Sequence, residues 1–195
     1  MADEFDLIDD VYQYRSTIYR GNQTRVDEVV EQGTGRQFAM KIVIEGTPES
    51  KESKANLKKE AMVLKQMEHP NIIHFEKFST SHDATYILME YFRAANVKSQ
   101  LKGELYSLHS RARPLLEGAC QALAFLHEKG WIHRDLKPDN MLLNRAGEFR
   151  LLDFSLSSRM TQGVAKMFGM GRPGSIQGTR TYIAPETIRR QAPTP

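Results

Sequence analysis

The stretch His133–Asn140 reads HRDLKPDN. It places a carboxylate at Asp135, an ammonium two residues later at Lys137 and a carboxamide five residues later at Asn140. An Asp can accept the proton of an incoming hydroxyl, a Lys can neutralise a moving phosphate, and an Asn can hold a magnesium ion. The alternative is a charged polar loop without chemistry. The order and spacing of the three side chains favour a phosphoryl-transfer site.

Three further blocks lie around this stretch. Downstream are Asp153-Phe154-Ser155 and the segment Gly178–Glu186, which reads GTRTYIAPE, and upstream is Phe38–Val43, which reads FAMKIV. The four blocks resemble the protein kinase family: its catalytic loop, its magnesium-binding Asp-Phe-Gly, the end of its activation segment and the strand with its ATP lysine. They stand in the family order with family-like gaps. The resemblance covers roughly residues 12 to 190.

The resemblance implies an α+β, bilobal protein-kinase-like fold with a β-rich N-lobe, one regulatory helix and a helical C-lobe that is incomplete. The expected domains are an N-terminal tail at 1–11, an N-lobe at 12–91 and a partial C-lobe at 92–195. Nine residues follow Glu186, so we expect either a fragment or a naturally shortened chain. Apolar surface left in water at the open end of the C-lobe predicts that the chain alone is aggregation-prone and nearly inactive.

The pattern over residues 12–44 predicts a three-stranded meander. Glycines at 33 and 35 favour a turn with positive φ. In the third strand, period-two alternation puts Ala39, Lys41 and Val43 on one face and the apolar residues at 38, 40, 42 and 44 on the other. Two more strands are expected at 73–79 and 85–91.

Apolar spacing predicts a helix over 54–68, with Leu57, Ala61, Leu64 and Met67 on its buried stripe. Glu60 falls on this stripe, where an unpaired carboxylate is costly. Its expected partner is Lys41, the charged residue on the inward face of the third strand. The alternative is a solvated Glu60 at the edge of the stripe.

A second helix is expected over 112–129, with Gly130 as its C-terminal cap. Its predicted apolar positions are Leu116, Ala119, Leu123 and Leu126. The single cysteine, Cys120, rules out an internal disulfide, and its apolar surroundings favour a small buried side chain over a reactive thiol.

The resemblance implies ATP-dependent transfer of the γ-phosphate to a Ser or Thr hydroxyl of a protein substrate, with Mg²⁺ as the metal ion. A Lys at position 137 is similar to serine/threonine rather than tyrosine kinases. The implied catalytic residues are Asp135, Lys137, Lys41 and Glu60, and the implied metal ligands are Asn140 and Asp153. The implied nucleotide contacts are Gly21, Val26, Ala39, Lys41, Glu90, Phe92 and Leu142, with Met89 as gatekeeper. The implied regulatory stack is His133, Phe154, Leu64 and Phe75.

Two departures from the family pattern predict lower activity. The glycine-rich loop reads YRGNQTRV over residues 19–26, so only Gly21 remains of three glycines. Tyr19 and Thr24 should loosen the phosphate cradle, with compensating charge expected from Arg20 or Arg25. Ser155 replaces a hinge glycine, and forcing an L-residue to positive φ costs roughly 1–2 kcal/mol.

These features favour an active serine/threonine kinase over a pseudokinase scaffold with weak nucleotide binding. A kinase-like small-molecule phosphotransferase is a third alternative, which the segment 178–186 disfavours. Ser175 is the expected activating phosphosite with Arg134 as its cation, and Thr161 is the alternative acceptor. Thr179 is the expected structural partner of Asp135 and Lys137.

The amino-acid composition limits the class of protein and the kinds of partner that we expect. The chain has 195 residues, 40% hydrophobic and 26% charged, as in ordinary globular proteins. A formal net charge of +3 gives no argument for nucleic acid. No apolar run is long enough to span a membrane, and the acidic N-terminus is unlike a signal sequence. A cytoplasmic location is the default expectation.

Overall fold

The computed structural model describes residues 7–82, 84–103, 105–160 and 178–189. The chain divides into two compact units. The first contains the residues up to Glu68 together with Ile73–Phe92, and the second contains His69–Ile72 and the residues from Arg93 onward. The expected domain boundary at 91/92 stays a prediction, because the segment 69–72 belongs to the second unit.

The first unit is a six-stranded antiparallel sheet with one helix. Its strands, in the sheet order β1-β2-β3-β4-β6-β5, are β1 (Leu7–Ile8), β2 (Tyr12–Arg20), β3 (Thr24–Glu31), β4 (Gln37–Val43), β6 (Thr85–Glu90) and β5 (Phe75–Thr80). Gly33 and Gly35 in the β3–β4 turn have φ of 86° and 71°, as expected from the sequence. The predicted meander is confirmed.

One face of this sheet carries an apolar core. The period-two alternation in β4 is confirmed, because Phe38, Met40 and Ile42 are buried while Ala39 and Lys41 are half-buried on the other face. Tyr12 packs edge-on against Phe38 at a centroid distance of 6.2 Å. The cluster consists of Ile8, Tyr12, Val29, Phe38, Met40, Ile42, Ala84, Tyr86 and Leu88.

Helix α1 spans Ser50–Leu64, four residues earlier at both ends than the predicted 54–68. Its first turn is polar, so apolar periodicity could not reveal it: the Oγ of Ser53 donates to the carbonyl of Glu49 at 2.9 Å. Leu57, Ala61 and Leu64 are buried as predicted, and Met67 is buried beyond the helix end.

The second unit is mainly helical, with two small antiparallel sheets. Its helices are α2 (Val97–Gly103), α3 (Leu105–Ser110), α4 (Ala112–Glu128) and α5 (Pro185–Ile188), with 3-10 turns at Pro138–Asn140 and Arg180–Tyr182. Its strands are β7 (Trp131–Ile132), which pairs with β10 (Ser158–Arg159), and β8 (Met141–Leu143), which pairs with β9 (Phe149–Leu151).

Helix α4 buries a face that shares only Leu126 with the predicted apolar stripe. Its buried residues are Gly118, Ala122 and Leu126, spaced four apart. Cys120 lies between them on the opposite side and is exposed, so the prediction of a buried thiol was wrong. Leu116 is 64% exposed, and Leu123 is only half-buried. Gly130 has a φ of 77° after the last turn, as expected for a C-terminal cap.

Some predictions fall outside the described residues, namely the phosphoacceptors Ser175 and Thr161 and the chain from residue 190 onward. Among the helices of the described residues, none is long and apolar enough to cross a membrane.

Candidate active site

The predicted catalytic loop follows β7 and is organised around a buried histidine. The Nε2 of His133 lies 2.9 Å from the carbonyl oxygen of Leu152, and its Nδ1 lies 3.3 Å from the backbone N–H of Asp135. A carbonyl can only accept and an amide can only donate, so the ring is the neutral Nε2–H tautomer. Burial holds the pKa of His133 below its ordinary value, which agrees with a neutral ring. Its ring also lies edge-on to Phe154 at 5.1 Å.

Asp135 is buried, and both of its carboxylate oxygens accept hydrogen bonds. The backbone N–H and Oγ1 of Thr179 lie 3.1 and 3.0 Å from Oδ1, and the Nζ of Lys137 lies 2.6 Å from Oδ2. Burial alone would raise the pKa of Asp135, but the Lys137 ammonium and the Thr179 donors outweigh it and hold this pKa below its ordinary value. The carboxylate is therefore ionised at neutral pH.

The same contacts attach the segment 178–186 to the catalytic loop. The Nζ of Lys137 donates to Thr179 Oγ1 at 2.7 Å, so Lys137, Thr179 and Asp135 form a closed triangle of hydrogen bonds. The expected partnership of Thr179 with Asp135 and Lys137 is confirmed. Gly178 has a φ of 127°, a conformation that a side chain would strain.

Arg134 has a φ of 68°, in the left-handed region. Its Nε is buried, and no described residue accepts a hydrogen bond from it. Within the described part of the chain, this side of the cation therefore has no acceptor. Whether a phosphate on Ser175 engages it, as the sequence predicts, stays a prediction because Ser175 lies outside the described residues.

The β8–β9 hairpin explains why Asp153 lies thirteen positions after Asn140. Asn140 directly precedes β8 and Asp153 follows β9 by two positions, so the antiparallel pairing brings both to one end of the hairpin. The backbone N–H of Leu152 donates to the Asn140 carbonyl at 2.9 Å. The Nδ2 of Asn140 donates to the backbone oxygen of Asp135 at 2.9 Å and to Oδ2 of Asp135 at 3.3 Å. Because the amide nitrogen of Asn140 faces Asp135, its Oδ1 points away from Asp135.

The donor set at this end of the hairpin fits a magnesium ion. An amide oxygen and a carboxylate are hard oxygen ligands, and Mg²⁺ in nucleotide sites uses one or two such side chains plus phosphates and water. Among the described residues no group of three or more His, Cys, Asp and Glu could hold a metal by itself. The pair Asn140 and Asp153 therefore suits a metal that arrives with a phosphate ligand.

Ser155 does not have the strained conformation that the sequence suggested. The residues with positive φ outside glycine are Asp9, Asp10, Arg134 and Asp153, among those described. The turn places its left-handed residue at Asp153, with a φ of 60°, and the N–H of Ser155 lies 3.4 Å from the Asp153 Oδ1. The prediction that Ser155 carries a conformational free-energy cost was wrong, because its φ is not positive in this structure.

In the first unit, Lys41 and Glu60 form the expected ion pair. The Nζ of Lys41 lies 2.9 and 2.7 Å from the two carboxylate oxygens of Glu60. Their side chains are 15% and 2% exposed. The alternative of a solvated Glu60 was wrong. Because the pair joins β4 to α1, the ammonium of Lys41 is held at a fixed place on the sheet.

The hairpin between β2 and β3 corresponds to the predicted glycine-rich loop. Gly21 lies at its tip, where its N–H donates to the carbonyl of Thr24 at 2.9 Å. A Cβ on Gly21 would lie 3.4 Å from Cε1 of Tyr19. The pairing Tyr19–Val26–Lys41 puts these three residues in one row across the sheet, on one face.

Arg20 pairs with Arg25, and Arg25 pairs with Ile42. This row lies next to the row of Tyr19, Val26 and Lys41, and successive residues of a strand point to opposite faces. Both arginines therefore belong to the opposite face from Lys41. The Nε of Arg25 lies 2.6 Å from Oδ2 of Asp27. The expected compensation of the lost glycines by Arg20 or Arg25 is therefore not supported by the register of the strands. Asp27 itself was missed, although its position two residues before the core residue Val29 was a signal that it shares the core face.

The remaining predicted nucleotide residues divide between the units. Val26 and Ala39 are half-buried on the Lys41 face of the first unit, and Met89 pairs with Ala39. At the end of β6 the N–H of Glu90 donates to the carbonyl of His74 at 3.0 Å, and Phe92 is the last residue of this unit. Leu142 lies half-buried in β8 of the second unit. The predicted catalytic and metal residues Asp135, Lys137, Asn140 and Asp153 also belong to the second unit.

Comparison with known proteins agrees with this geometry. The family model described as "Protein kinase domain" matches residues 12–195. The chain belongs to the protein kinase family. The predicted protein-kinase-like fold, with a β-rich first part and a helical second part, is confirmed at this level.

The chain is similar to several curated kinases. It is 30% identical over 185 residues to a "CBL-interacting protein kinase 1" of Oryza sativa subsp. japonica, covering 92% of this chain and 38% of that protein. It is 29% identical over 177 residues to the "CBL-interacting serine/threonine-protein kinase 8" of Arabidopsis thaliana, covering 91% and 38%. It is 29% identical over 186 residues to a "Probable myosin light chain kinase" of Dictyostelium discoideum, covering 94% and 56%. The chain thus spans about two fifths of the length of the CBL-interacting kinases that it matches.

Proposed function

We propose that this protein is an ATP-dependent serine/threonine kinase that transfers the γ-phosphate to a hydroxyl of a protein substrate. The observation that carries the proposal is the hydrogen-bonded group of Asp135, Lys137, Thr179 and Asn140. Family membership supports the reaction class. Relatives named as serine/threonine kinases support the acceptor class.

Asp135 is suited to orient the substrate hydroxyl and to accept its proton late in the reaction. Its pKa lies below the ordinary value because the Lys137 and Thr179 donors outweigh its burial, so it is a weak base that is ionised at neutral pH. Phosphoryl transfer passes through a loose transition state in which little proton transfer is needed early. Positioning of the hydroxyl is therefore the larger contribution that Asp135 can make.

Lys137 lies where its ammonium can stabilise the transferred phosphoryl group. Its Nζ lies 2.6 Å from Asp135 and 2.7 Å from Thr179. These two hydrogen bonds hold the ammonium in place, so the side chain needs little rearrangement to interact with a phosphate. Fixed charges of this kind are effective because they are oriented before the reaction. Asn140 and Asp153 would hold magnesium, which supplies charge neutralisation of the phosphates when bound.

Lys41 would contact the α- and β-phosphates from the first unit. A free lysine side chain samples many rotamers, whereas two hydrogen bonds to Glu60 fix its Nζ. Val26 and Ala39 offer apolar surface for adenine on the same face as Lys41. An adenine contact at Glu90 would have to use its carbonyl, because its N–H is bound to His74.

One observation favours the alternative of a pseudokinase scaffold. The tip of the β2–β3 hairpin uses the N–H of Gly21 internally, so that donor is not available to a phosphate in this conformation. Ser155 no longer supports this alternative, because it adopts no positive φ. The active-kinase proposal therefore depends on nucleotide binding without a complete glycine-rich loop.

The test is phosphate transfer from labelled ATP to a generic basic protein by the full chain. Lys41→Met and Asp135→Asn should each reduce transfer by about 100-fold or more, because each removes a charge from the reacting groups. Arg113→Lys is a matched surface control, since Arg113 is 87% exposed and pairs with Glu117 at 2.8 Å. Equal turnover by the wild type, Lys41→Met and Asp135→Asn would refute the kinase proposal. Nucleotide binding without transfer would support the scaffold instead.

A further inference from the structure

A fully buried carboxylate, Asp27, lies in β3 beside the hairpin that contains Gly21. Its side chain has 0% exposure. It shares the core face with Val29 and pairs across the sheet with Met40, both of which are also completely buried. A buried carboxylate is costly unless it is paired and hydrogen-bonded. A residue at this place in the core therefore needs a specific set of partners.

The two oxygens of Asp27 are bound from two different strands. Thr17 of β2 donates through Oγ1 to Oδ1 at 2.8 Å, and Arg25 of β3 donates through Nε to Oδ2 at 2.6 Å. We call the three residues Thr17, Arg25 and Asp27 the hairpin clamp. It provides the charge compensation that burial requires.

The hairpin clamp spans an irregularity in the strand pairing. Thr17 pairs with Asp27, but Tyr19 pairs with Val26, so Ile18 is an extra residue in β2. A bulge of this kind bends the strand and redirects the side chains beyond it. The Thr17–Asp27 bond joins the two strands at the last regular pair before the bulge. It therefore fixes the position from which the hairpin tip projects.

The residues directly beyond the bulge are those of the proposed nucleotide site. Tyr19, Val26 and Lys41 form one row across β2, β3 and β4, on the opposite face from Asp27. Tyr19 replaces the first glycine of the expected loop, and its side chain is 63% exposed. The placement of this exposed residue in the same row as Lys41 depends on the geometry of the bulge.

We propose that Asp27 is a positioning residue for the nucleoside triphosphate. By holding Thr17 and Arg25 on the core face, it fixes Tyr19 and Val26 on the nucleotide face at the start of a tip that keeps only one glycine. The inference rests on the proposed function, because the ligand is the nucleotide of the same site.

A purely structural role for Asp27 makes a different prediction. Loss of stability would lower the unfolding temperature and the amount of active protein, with an unchanged Michaelis constant for ATP in the folded fraction. A positioning role changes the affinity for nucleotide in protein that remains folded. The separation of KM from kcat distinguishes the two roles.

The main variant is Thr17→Val, which removes the cross-strand hydrogen bond but keeps the Asp27–Arg25 pair. Asp27→Asn is the second variant. Thr17→Ser retains a hydroxyl and should restore the wild-type behaviour. Thr34→Val is the matched control, because Thr34 also donates from its Oγ1 to a carboxylate, Oε2 of Glu31 at 2.6 Å, but is exposed in the β3–β4 turn. All are made in the full chain.

The measurements are the dissociation constant of Mg·ATP by equilibrium binding and the steady-state KM and kcat. We expect Thr17→Val and Asp27→Asn to weaken ATP binding by about five-fold or more, with kcat changed less than twofold. Thr17→Ser and Thr34→Val should bind as the wild type does. Folded Thr17→Val with wild-type affinity would overturn the inference, even if Asp27→Asn fails to fold.

The two proposals can fail separately. A wild-type chain that binds ATP with an affinity independent of Thr17 and Asp27 would overturn the positioning role and leave the proposed function intact. A wild-type chain that shows no saturable ATP binding would overturn both. Weaker binding in the clamp variants together with full phosphate transfer by Lys41→Met would support the positioning role and contradict the proposed chemistry.

Discussion

The Oγ1 of Thr179 donates to Oδ1 of Asp135 at 3.0 Å, although 44 residues separate them in the chain. The same hydroxyl accepts from the Nζ of Lys137 at 2.7 Å. A single side chain near the end of the chain therefore links the two charged residues of the catalytic loop. This hydroxyl is also one of the donors that outweigh burial and hold the pKa of Asp135 low.

Thr179→Val should reduce kcat by about tenfold or more, because a hydrogen bond to a charged group contributes about 1.5–3 kcal/mol. The pKa of Asp135 should rise toward its ordinary value, since one stabilising donor is lost. The acid limb of the pH–kcat profile should therefore move to higher pH. Thr179→Ser should restore both. An unchanged kcat and profile in Thr179→Val would mean that the hydroxyl is not needed once substrate is bound.

Ser155→Gly tests the conformational finding at the magnesium-binding motif. Because Ser155 has no positive φ, a glycine relieves no strain there. Glycine adds conformational freedom to the unfolded chain and should cost about 0.4–1 kcal/mol of stability. We expect a slightly lower unfolding temperature and a kcat/KM within about twofold of the wild type. A several-fold increase in activity would show that the active conformation places residue 155 in the strained region after all.

Sequence reasoning succeeded where a short-range rule determines the structure. The period-two alternation of β4 correctly predicted which of its residues are buried. The position of the Glu60 carboxylate on the apolar stripe of α1 correctly predicted its ion pair with Lys41. It failed where tertiary contacts decide. The φ of Ser155 depends on how Asp153 enters the turn, and the exposure of Leu116 and Cys120 depends on which face of α4 meets β9. Asp27 was overlooked because a charged residue in a strand usually faces solvent.

The stability of the protein should fall as the pH drops below about 6.5, because burial holds the pKa of His133 under its ordinary value of 6.5. Between the lowered pKa and 6.5 the unfolded chain binds a proton at this residue and the folded chain does not, so acid favours unfolding. Each such histidine can change the free energy of unfolding by at most about 1.4 kcal/mol per pH unit. The measurement is the unfolding free energy from urea titrations between pH 5 and 8.

His133→Phe should flatten this pH dependence, although it also lowers stability at pH 8 by removing the bonds to Leu152 and Asp135. Exposed His109 provides the control variant His109→Gln, which should keep the wild-type slope. His69 also has a pKa lowered by burial and should account for part of the residual slope. An identical slope in His133→Phe would contradict the assignment.

Gly118→Ala should destabilise the protein even though Gly118 lies inside a helix. Helix propensity alone predicts a gain of about 1 kcal/mol. A Cβ at this position, however, would lie 2.6 Å from Cβ of Phe149 and 2.8 Å from Nδ2 of Asn71. Overpacking of this kind costs about 1–3 kcal/mol. Gly103→Ala is the control, because a Cβ there meets no atom of the described residues within 4 Å. Greater stability of Gly118→Ala in thermal unfolding would show that α4 can move away from β9.

Arg111 is expected to be the most sensitive basic residue outside the active site. Its guanidinium is buried and donates to the carbonyls of Leu143 and Asn144, to Gln100 and to Ser107. Two of these acceptors belong to the β8–β9 hairpin, whose other end carries Asn140 and Asp153. The planar fork of an arginine satisfies this set of acceptors, and a lysine ammonium cannot match its geometry.

Arg111→Lys should therefore lower stability by about 2–4 kcal/mol, since buried acceptors lose their donors. Loosening of the hairpin should also weaken Mg²⁺ binding, measured as an increase in the Mg²⁺ concentration for half-maximal transfer at saturating ATP. Arg113→Lys, two residues away and exposed, should change both quantities very little, because its i,i+4 pair with Glu117 is a surface contact. Normal stability and Mg²⁺ dependence in Arg111→Lys would show that water can replace the guanidinium and that the hairpin holds Asn140 and Asp153 without it.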